Sequence, residues 1–205
     1  MPVQIELIHA IGSLVIAANP TAALLSPLRN GRAMARVHVD RSRIMSDDKR
    51  YRRGVGVMLL NREGKVFVGA RIDNQAEAWQ MPQGGIDEGE GPWAAALREL
   101  EEETGIPPHL VERIAACSEP LRYKLPPELV GVIWKEPWIG QEQDWFLCRF
   151  LGSDSHVDIA TPHPEFREWK WVEPEPLPEL IVPFKRDLYR RLLEEFADYL
   201  RPSVE

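Results

Sequence analysis

The stretch that most constrains this chain runs from Gly84 to Ile106, GGIDEGEGPWAAALRELEEETGI, because it specifies a glycine loop, a helix and a second loop in one unbroken piece. Gly91-Pro92 suits a helix start, since proline at the first helical position has no amide hydrogen to leave unpaired and a pre-set φ. Thr104-Gly105 suits the stop, with Pro107 soon after it. At about 100° per residue, Glu99, Glu102 and Glu103 fall within an arc of about 100°. Trp93, Leu97, Leu100 and Thr104 cluster on a different arc, so the helix is expected to bury one stripe and present carboxylates on another.

Three carboxylates so close together repel one another unless something positive sits among them. A hard divalent cation is the natural answer, because Mg²⁺ or Mn²⁺ takes carboxylate oxygens and keeps positions open for water and phosphates. The bland alternative is a solvated acidic face, which is the fate expected for Glu101, pointing away from the other three. Arg98 lies four residues before Glu102, at the spacing where it can hold that carboxylate in place.

The spacing is Gly84, five residues, Glu90, seven residues, Arg98-Glu99-Leu100, one residue, Glu102-Glu103, one residue, Gly105-Ile106. It resembles the Nudix box at every position. The resemblance implies an α/β Nudix fold, a mixed β-sheet sandwiched between α-helices. It also implies a metal-dependent hydrolase of nucleoside diphosphates linked to another group. Outside the box, Tyr51-Arg52, Trp79-Gln-Met-Pro-Gln-Gly-Gly85, Arg122-Tyr-Lys-Leu-Pro126, the run from Gly140 to Leu147, Pro164-Glu-Phe166, Trp169-Lys-Trp171 and Pro183-Phe-Lys-Arg-Asp187 are similar to the branch holding bacterial RNA pyrophosphohydrolases and dinucleoside polyphosphate hydrolases. This likeness covers about Tyr51 to Phe196.

The family's roles can be carried over only to matching positions. Glu99, Glu102 and Glu103 match the metal-binding carboxylates, with Glu99 also a candidate base for the attacking water, and Arg98 joins them in the catalytic group. Gly84 is the expected source of a metal-facing backbone carbonyl, with Gln83 as the alternative. Glu165 matches a later carboxylate that joins the metals from a loop. Arg52, Arg71, Phe184 and Lys185 fall near positions that hold phosphates or stack the first base. The implied cofactor is Mg²⁺, with Mn²⁺ or Zn²⁺ as alternatives.

The rest of the chain is consistent with one globular domain: 205 residues, 44% of them apolar, can bury a sizeable core. Residues 1 to 44 are set apart by five arginines against Glu6 and Asp40, a net of +3, which leaves −10 on the remaining 161 residues. They are expected to form a weakly ordered extension, an upstream start or a leader, with the working Nudix domain spanning 45 to 205. Strands are expected at Val55–Leu60, Lys65–Ala70, Val111–Cys117, Leu121–Leu125, Asp144–Leu151 and Glu168–Val172. A closing helix is expected over about Pro183 to Leu200, with Phe184, Leu188, Leu192, Phe196 and Leu200 on its buried face. Cys117 and Cys148 are too few for a disulfide framework and suggest buried, reduced thiols in a cytoplasmic protein.

The acidic balance argues against duplex DNA as a partner, since backbone binding depends on lysine and arginine. No apolar run reaches the length of a membrane span. The reading adopted is removal of pyrophosphate from the triphosphorylated 5′ end of RNA, promoting transcript decay. Asymmetric hydrolysis of dinucleoside polyphosphates such as diadenosine tetraphosphate, to ATP and AMP, is the alternative. From a different class, the chain would be a non-catalytic Nudix nucleotide-sensing module, which is disfavoured because every box carboxylate is present.

Overall fold

Alternation of apolar residues along two long strands sets the architecture. In the computed structural model, which describes residues 50–73, 78–134 and 136–201, β1 (Tyr51–Leu60) and β7 (Gly140–Phe150) run parallel at the centre of an eight-stranded sheet. Successive side chains point to opposite faces. Val55, Val57 and Leu59 of β1, with Phe146, Cys148 and Phe150 of β7, therefore build one core, while Met58, Leu60, Trp145 and Leu147 build the other. The expectation of residues 1 to 44 as a separate extension lies outside the described residues.

The remaining strands are β2 (Val66–Arg71), β3 (Trp79–Gln80), β4 (Gln83–Gly85), β5 (Val111–Ala116), β6 (Leu121–Lys124) and β8 (Phe166–Val172). β2 and β4 pair antiparallel with β1, β5 and β6 antiparallel with β7, and β8 antiparallel with β2, giving the expected mixed sheet. The helix α1 (Pro92–Thr104) covers the first core, and α2 (Leu177–Leu180), α3 (Arg186–Glu195) and α4 (Ala197–Leu200) lie against the second. No helix among the described residues is long and apolar enough to cross a membrane.

α1 begins and ends where its sequence signals put it. Gly91 is the extended N-cap, Pro92 follows, and Gly105 closes the helix at φ +68° while its N–H reaches Glu101 O at 2.8 Å. The packing stripe differs from the expected one. Ala95, Ala96, Leu100, Glu103 and Thr104 are fully buried, whereas Trp93 and Leu97 are half-buried. Glu103 falls within about 60° of both Ala96 and Leu100, so the carboxylate arc and the buried arc overlap at that one residue.

The closing segment is also not one helix. A 3₁₀ turn at Pro183–Lys185 leads into α3, and Phe196, at φ −101° and ψ 9°, separates α3 from α4. An apolar residue at every fourth position drifts by about 40° per step on a straight helix. Over the four steps from Phe184 to Leu200 the stripe would wrap almost halfway round, and the break returns the chain to the sheet. Leu188, Leu192 and Phe196 are buried, while Phe184 and Leu200 at the two ends are only partly covered.

Candidate active site

The short strand β4 places the loop of the motif against the carboxylate side of α1. Opposite β1, Gly56 faces Gln83, Val55 faces Gly84 and Gly54 faces Gly85, and Val57 N–H donates to Pro82 O at 2.9 Å. Bonded and non-bonded pairs alternate along an antiparallel ladder. Gly84 therefore turns its backbone polar groups toward β1, while Gln83 and Gly85 turn theirs away, toward α1.

Three contacts follow that orientation. Gln83 N–H donates to Glu103 Oε2 at 3.1 Å, Gly85 N–H donates to Glu99 Oε1 at 2.9 Å, and Gly85 O accepts from Arg98 at 2.9 Å. Glycine at position 84 is a requirement of space: a Cβ there would sit 1.9 Å from the carboxylate carbon of Glu99.

Arg98 is the cation among the acids. Its guanidinium forms a fork with Glu90, at 3.0 and 2.8 Å, and donates to Glu99 at 2.9 Å and to Glu102 at 3.2 Å. Sequence spacing pointed only to the Glu102 contact. Glu90 anchors the arginine more directly, and its position in the box was the signal available for it.

Glu103 is in a different condition. It is 2% exposed, and its Oε1 is buried with no hydrogen-bond partner. Burial, with the Glu165 charge added to it, holds the carboxyl well above the usual carboxylate range. Burial also raises Glu99, though the contacts from Arg98 oppose it.

A second group faces Glu103. Arg71 donates to both oxygens of Asp73, at 2.7 and 2.8 Å, and is hydrogen-bonded to Glu165, so the expected phosphate holder and the expected loop ligand are joined to each other. Lys185 is buried, with Nζ 4.7 Å from the centre of the Tyr123 ring, and Phe184 packs on the same ring at 5.9 Å. Burial, followed by repulsion from Arg71, lowers the Lys185 ammonium to about 7. Arg52 is half-buried over the Trp134 ring at 5.7 Å and lies so close to Gly85 that a Cβ there would meet its Nη2 at 2.3 Å.

Thus Gly84, Arg98, Glu99, Glu102 and Glu103 are gathered around β4 and α1, with Arg52 beside Gly85, and the charges of Glu165, Arg71 and Lys185 act on Glu103 or on one another. Among the described residues no three carboxylate, histidine or cysteine side chains converge as a ready metal cage. Arg98 explains why: it draws Glu99 and Glu102 onto its own Nη1. Several other arginines are paired with acids, Arg186 and Arg190 with Glu179 and Arg53 with Asp144. Both cysteines are free thiols, and burial raises each to about 12, so neither is reactive at neutral pH.

The donor set still fits a hard divalent cation. All its side-chain donors are carboxylate oxygens, and the orphaned Oε1 of Glu103 lacks the positive partner that a buried carboxylate requires.

Comparison with known proteins places the chain in a family. The NUDIX domain model matches residues 50–192. The chain is 58% identical over 156 residues to a protein of Erythrobacter litoralis named RNA pyrophosphohydrolase, covering 75% of this chain and 95% of the relative. Proteins of the same name from Zymomonas mobilis and Pelagibacter ubique are 52% and 51% identical, over 74% and 76% of this chain and 97% and 99% of theirs. Among solved structures, an Escherichia coli dihydroneopterin triphosphate pyrophosphohydrolase aligns with a TM-score of 0.57 at 19% identity, over 70% of this chain and 97% of the other. A C. elegans Ap4A hydrolase binary complex aligns at 0.52 and 21%, over 71% and 98%. At such identities the structural likeness shows the fold alone.

Proposed function

Because the chain belongs to the Nudix family, we propose that its site hydrolyses the 5′-triphosphate end of RNA, releasing pyrophosphate and leaving a 5′-monophosphate that exposes the transcript to decay. The observation that carries this reading is identity above 50% to RNA pyrophosphohydrolases across nearly their whole length.

The divalent ion would be held by Glu99, Glu102, Glu103 and Glu165 with one backbone carbonyl of β4. The ladder alternation supports Gln83 rather than Gly84 for that carbonyl, since Gly84 O faces β1 and accepts from Gln141 at 3.3 Å. When bound, such an ion neutralises phosphate oxygens and acidifies a water. The residues of the chain do the rest. Glu99, fixed at Oε1 by Gly85 N–H and Arg98, accepts the proton of the attacking water. Arg52 and Lys185 bind phosphate oxygens, and Phe184 and the Arg71 guanidinium stack or hold the first base. Burial lowers the pKa of Lys185, so its charge is restored most fully beside an anionic substrate.

The test compares 5′-triphosphorylated RNA with diadenosine tetraphosphate at matched concentration with Mg²⁺. Faster release of pyrophosphate from the RNA is expected; faster production of ATP and AMP would overturn the reading. Glu99→Gln should reduce turnover of the RNA by about 10² to 10⁴ with the thermal midpoint little changed, and retained turnover would remove Glu99 from its role as base.

A further inference from the structure

Three buried side chains on the α3 face of β7 lead directly to Glu99. Trp145 Nε1–H donates to Gln143 Oε1 at 3.2 Å, and Gln143 Nε2 donates to Gln141 Oε1 at 3.3 Å. Gln141 Nε2 in turn donates to Gly84 O at 3.3 Å. The peptide carrying that oxygen presents its N–H, on Gly85, to Glu99 Oε1 at 2.9 Å. Two side-chain amides and one peptide therefore stand head to tail, each accepting at its carbonyl and donating at its nitrogen.

The direction of this chain is determined. An indole N–H can only donate, so Gln143 must turn its oxygen to Trp145 and its nitrogen to Gln141. Gln141 must then turn its oxygen to Gln143, which leaves its nitrogen for Gly84 O. Tyr123 O–H donates to the same Gln141 oxygen at 2.9 Å, and a second bond from Gln143 reaches Gln83 Oε1 at 3.2 Å. Gln141 is 3% exposed, Gln143 and Trp145 no more than 1%, so water does not compete for these bonds.

Two glycines of β1 make the room. A Cβ at Gly54 would stand 2.1 Å from Gln141 Nε2 and 2.6 Å from Gly84 O, and one at Gly56 would stand 2.5 Å from the Trp145 ring. Any larger residue at position 54 breaks the last link. A buried Gln-x-Gln-x-Trp alternation opposite a Gly-x-Gly alternation is hard to explain as packing, because apolar side chains would fill the same trough without needing partners.

We infer that Trp145, Gln143 and Gln141 form a one-directional hydrogen-bond relay that positions Glu99 through the Gly84–Gly85 peptide. Together with the β1 ladder, in which Gly84 pairs with Val55, the relay holds the plane of that peptide and so the place of Glu99 Oε1, which must be held before the carboxylate can meet a cation or a water. These three are positioning residues; none touches the reacting atoms. The inference rests on the proposed metal-dependent reading of Glu99.

The decisive experiment titrates Mn²⁺ into the full chain without substrate, following the free ion by electron paramagnetic resonance. Trp145→Phe, which keeps an aromatic ring and removes only the donor, and Gln141→Met, which cuts the last link, should each weaken Mn²⁺ binding roughly 10-fold or more. With 5′-triphosphorylated RNA, kcat should fall while KM changes little. Because both substitutions cut one chain, the double variant should bind Mn²⁺ no more weakly than Gln141→Met alone. Unchanged Mn²⁺ affinity in both single variants would overturn the relay, as would losses that multiply in the double variant. A drop in thermal midpoint without a change in Mn²⁺ affinity would show these residues to be structural only, which also overturns it. Should Gln141→Met fail to fold, Trp145→Phe with Gln143→Met tests the same chain. A wild-type protein that binds Mn²⁺ yet leaves triphosphorylated RNA intact would sink the proposed substrate and leave the relay standing.

Discussion

The two ends of the carboxylate cluster on α1 carry the same residue type in opposite states. Around Arg98, the acids Glu90, Glu99 and Glu102 all receive hydrogen bonds from one guanidinium, whose side chain is 28% exposed. One turn after Glu99, Glu103 is buried with one oxygen on the Gln83 N–H and the other on nothing. Where the chain supplies its own cation, the acids are settled in the folded protein. Where it supplies none, a carboxyl is kept dry with one oxygen unpartnered, and under the proposed function this is where an ion from outside would bind. On that reading stability and function are divided along one helix: Arg98 holds the loop, and Glu103 is left to the proposed ion.

The strongest way to break that contrast is Glu103→Gln. The amide keeps an oxygen for the Gln83 N–H and gives the neighbouring acids a donor in place of a like charge. Turnover should fall by on the order of 10³, as for loss of a group acting directly at the reacting centre. In metal-free buffer, however, the thermal midpoint should rise above that of the wild type. The sign with pH follows from the raised Glu103 carboxyl. The cost of ionising it is absent below the ordinary carboxylate value and grows as pH rises through the folded value. The advantage of the variant should therefore be greatest at neutral and alkaline pH and fade toward pH 4.5. Mg²⁺ should stabilise the wild type in preference to the variant, since only an ion bound to the folded form shifts the equilibrium. Calorimetry with EDTA and with Mg²⁺ checks both signs.

Next in size is Arg98→Ala, which removes the settled side. Glu90, Glu99 and Glu102 would be left without their shared partner, and Gly85 O would lose a donor. Breaking several charge-assisted bonds at a partly exposed site should destabilise by about 1–3 kcal/mol. Activity should drop by about 10- to 100-fold through the displaced Glu99. Urea unfolding alongside turnover separates the two losses. If activity fell with no loss of stability, Arg98 would belong with the reacting groups and the division along α1 would be wrong.

This division was only half legible in the sequence. The helix limits, the central strands and the identity of the acids could be read, because proline at the helix start, the glycine stop and the two-residue alternation of β1 and β7 act locally. Two things could not. Glu103 sits at the overlap of the acidic and apolar arcs, and its burial is decided by the sheet beneath α1, which spacing along the helix does not reveal. Gln141 and Gln143 read as ordinary strand residues until β1 is laid beside β7, where Gly54 lies opposite Gln143 and leaves room for the Gln141 amide, and Gly56 lies opposite Trp145. The closing helix failed for a geometric reason, since four-residue spacing looks continuous in sequence but rotates on a real helix. The metal-facing carbonyl could not be chosen between Gly84 and Gln83 from sequence, because a backbone oxygen does not depend on its side chain; the alternating ladder, visible only once β4 is paired, turns Gly84 O toward β1 and favours Gln83 in the proposed site.

The subtlest prediction concerns the cation nearest the unsettled end. Lys185 neighbours Glu103, Glu165 and Asp73, the position of a built-in counterion equivalent to Arg98 at the other end of the cluster. Its burial argues otherwise: the ammonium falls from an ordinary value of 10.5 to about 7, so the folded protein does not hold a permanent charge there. Below pH 7 both folded and unfolded chains carry the proton, and the cost of burying it is fully present. Between pH 7 and 10.5 the unfolded chain binds a proton that the folded chain has given up, so this residue makes stability rise with pH. Replacement by an uncharged side chain of similar length, Lys185→Met, abolishes that rise. The variant should therefore be more stable than the wild type near pH 6.5, and the gap should shrink steadily up to pH 10 in urea titrations without metal. A constant gap would mean that Lys185 stays charged beside Glu103, and both ends of the helix would then be neutralised from within.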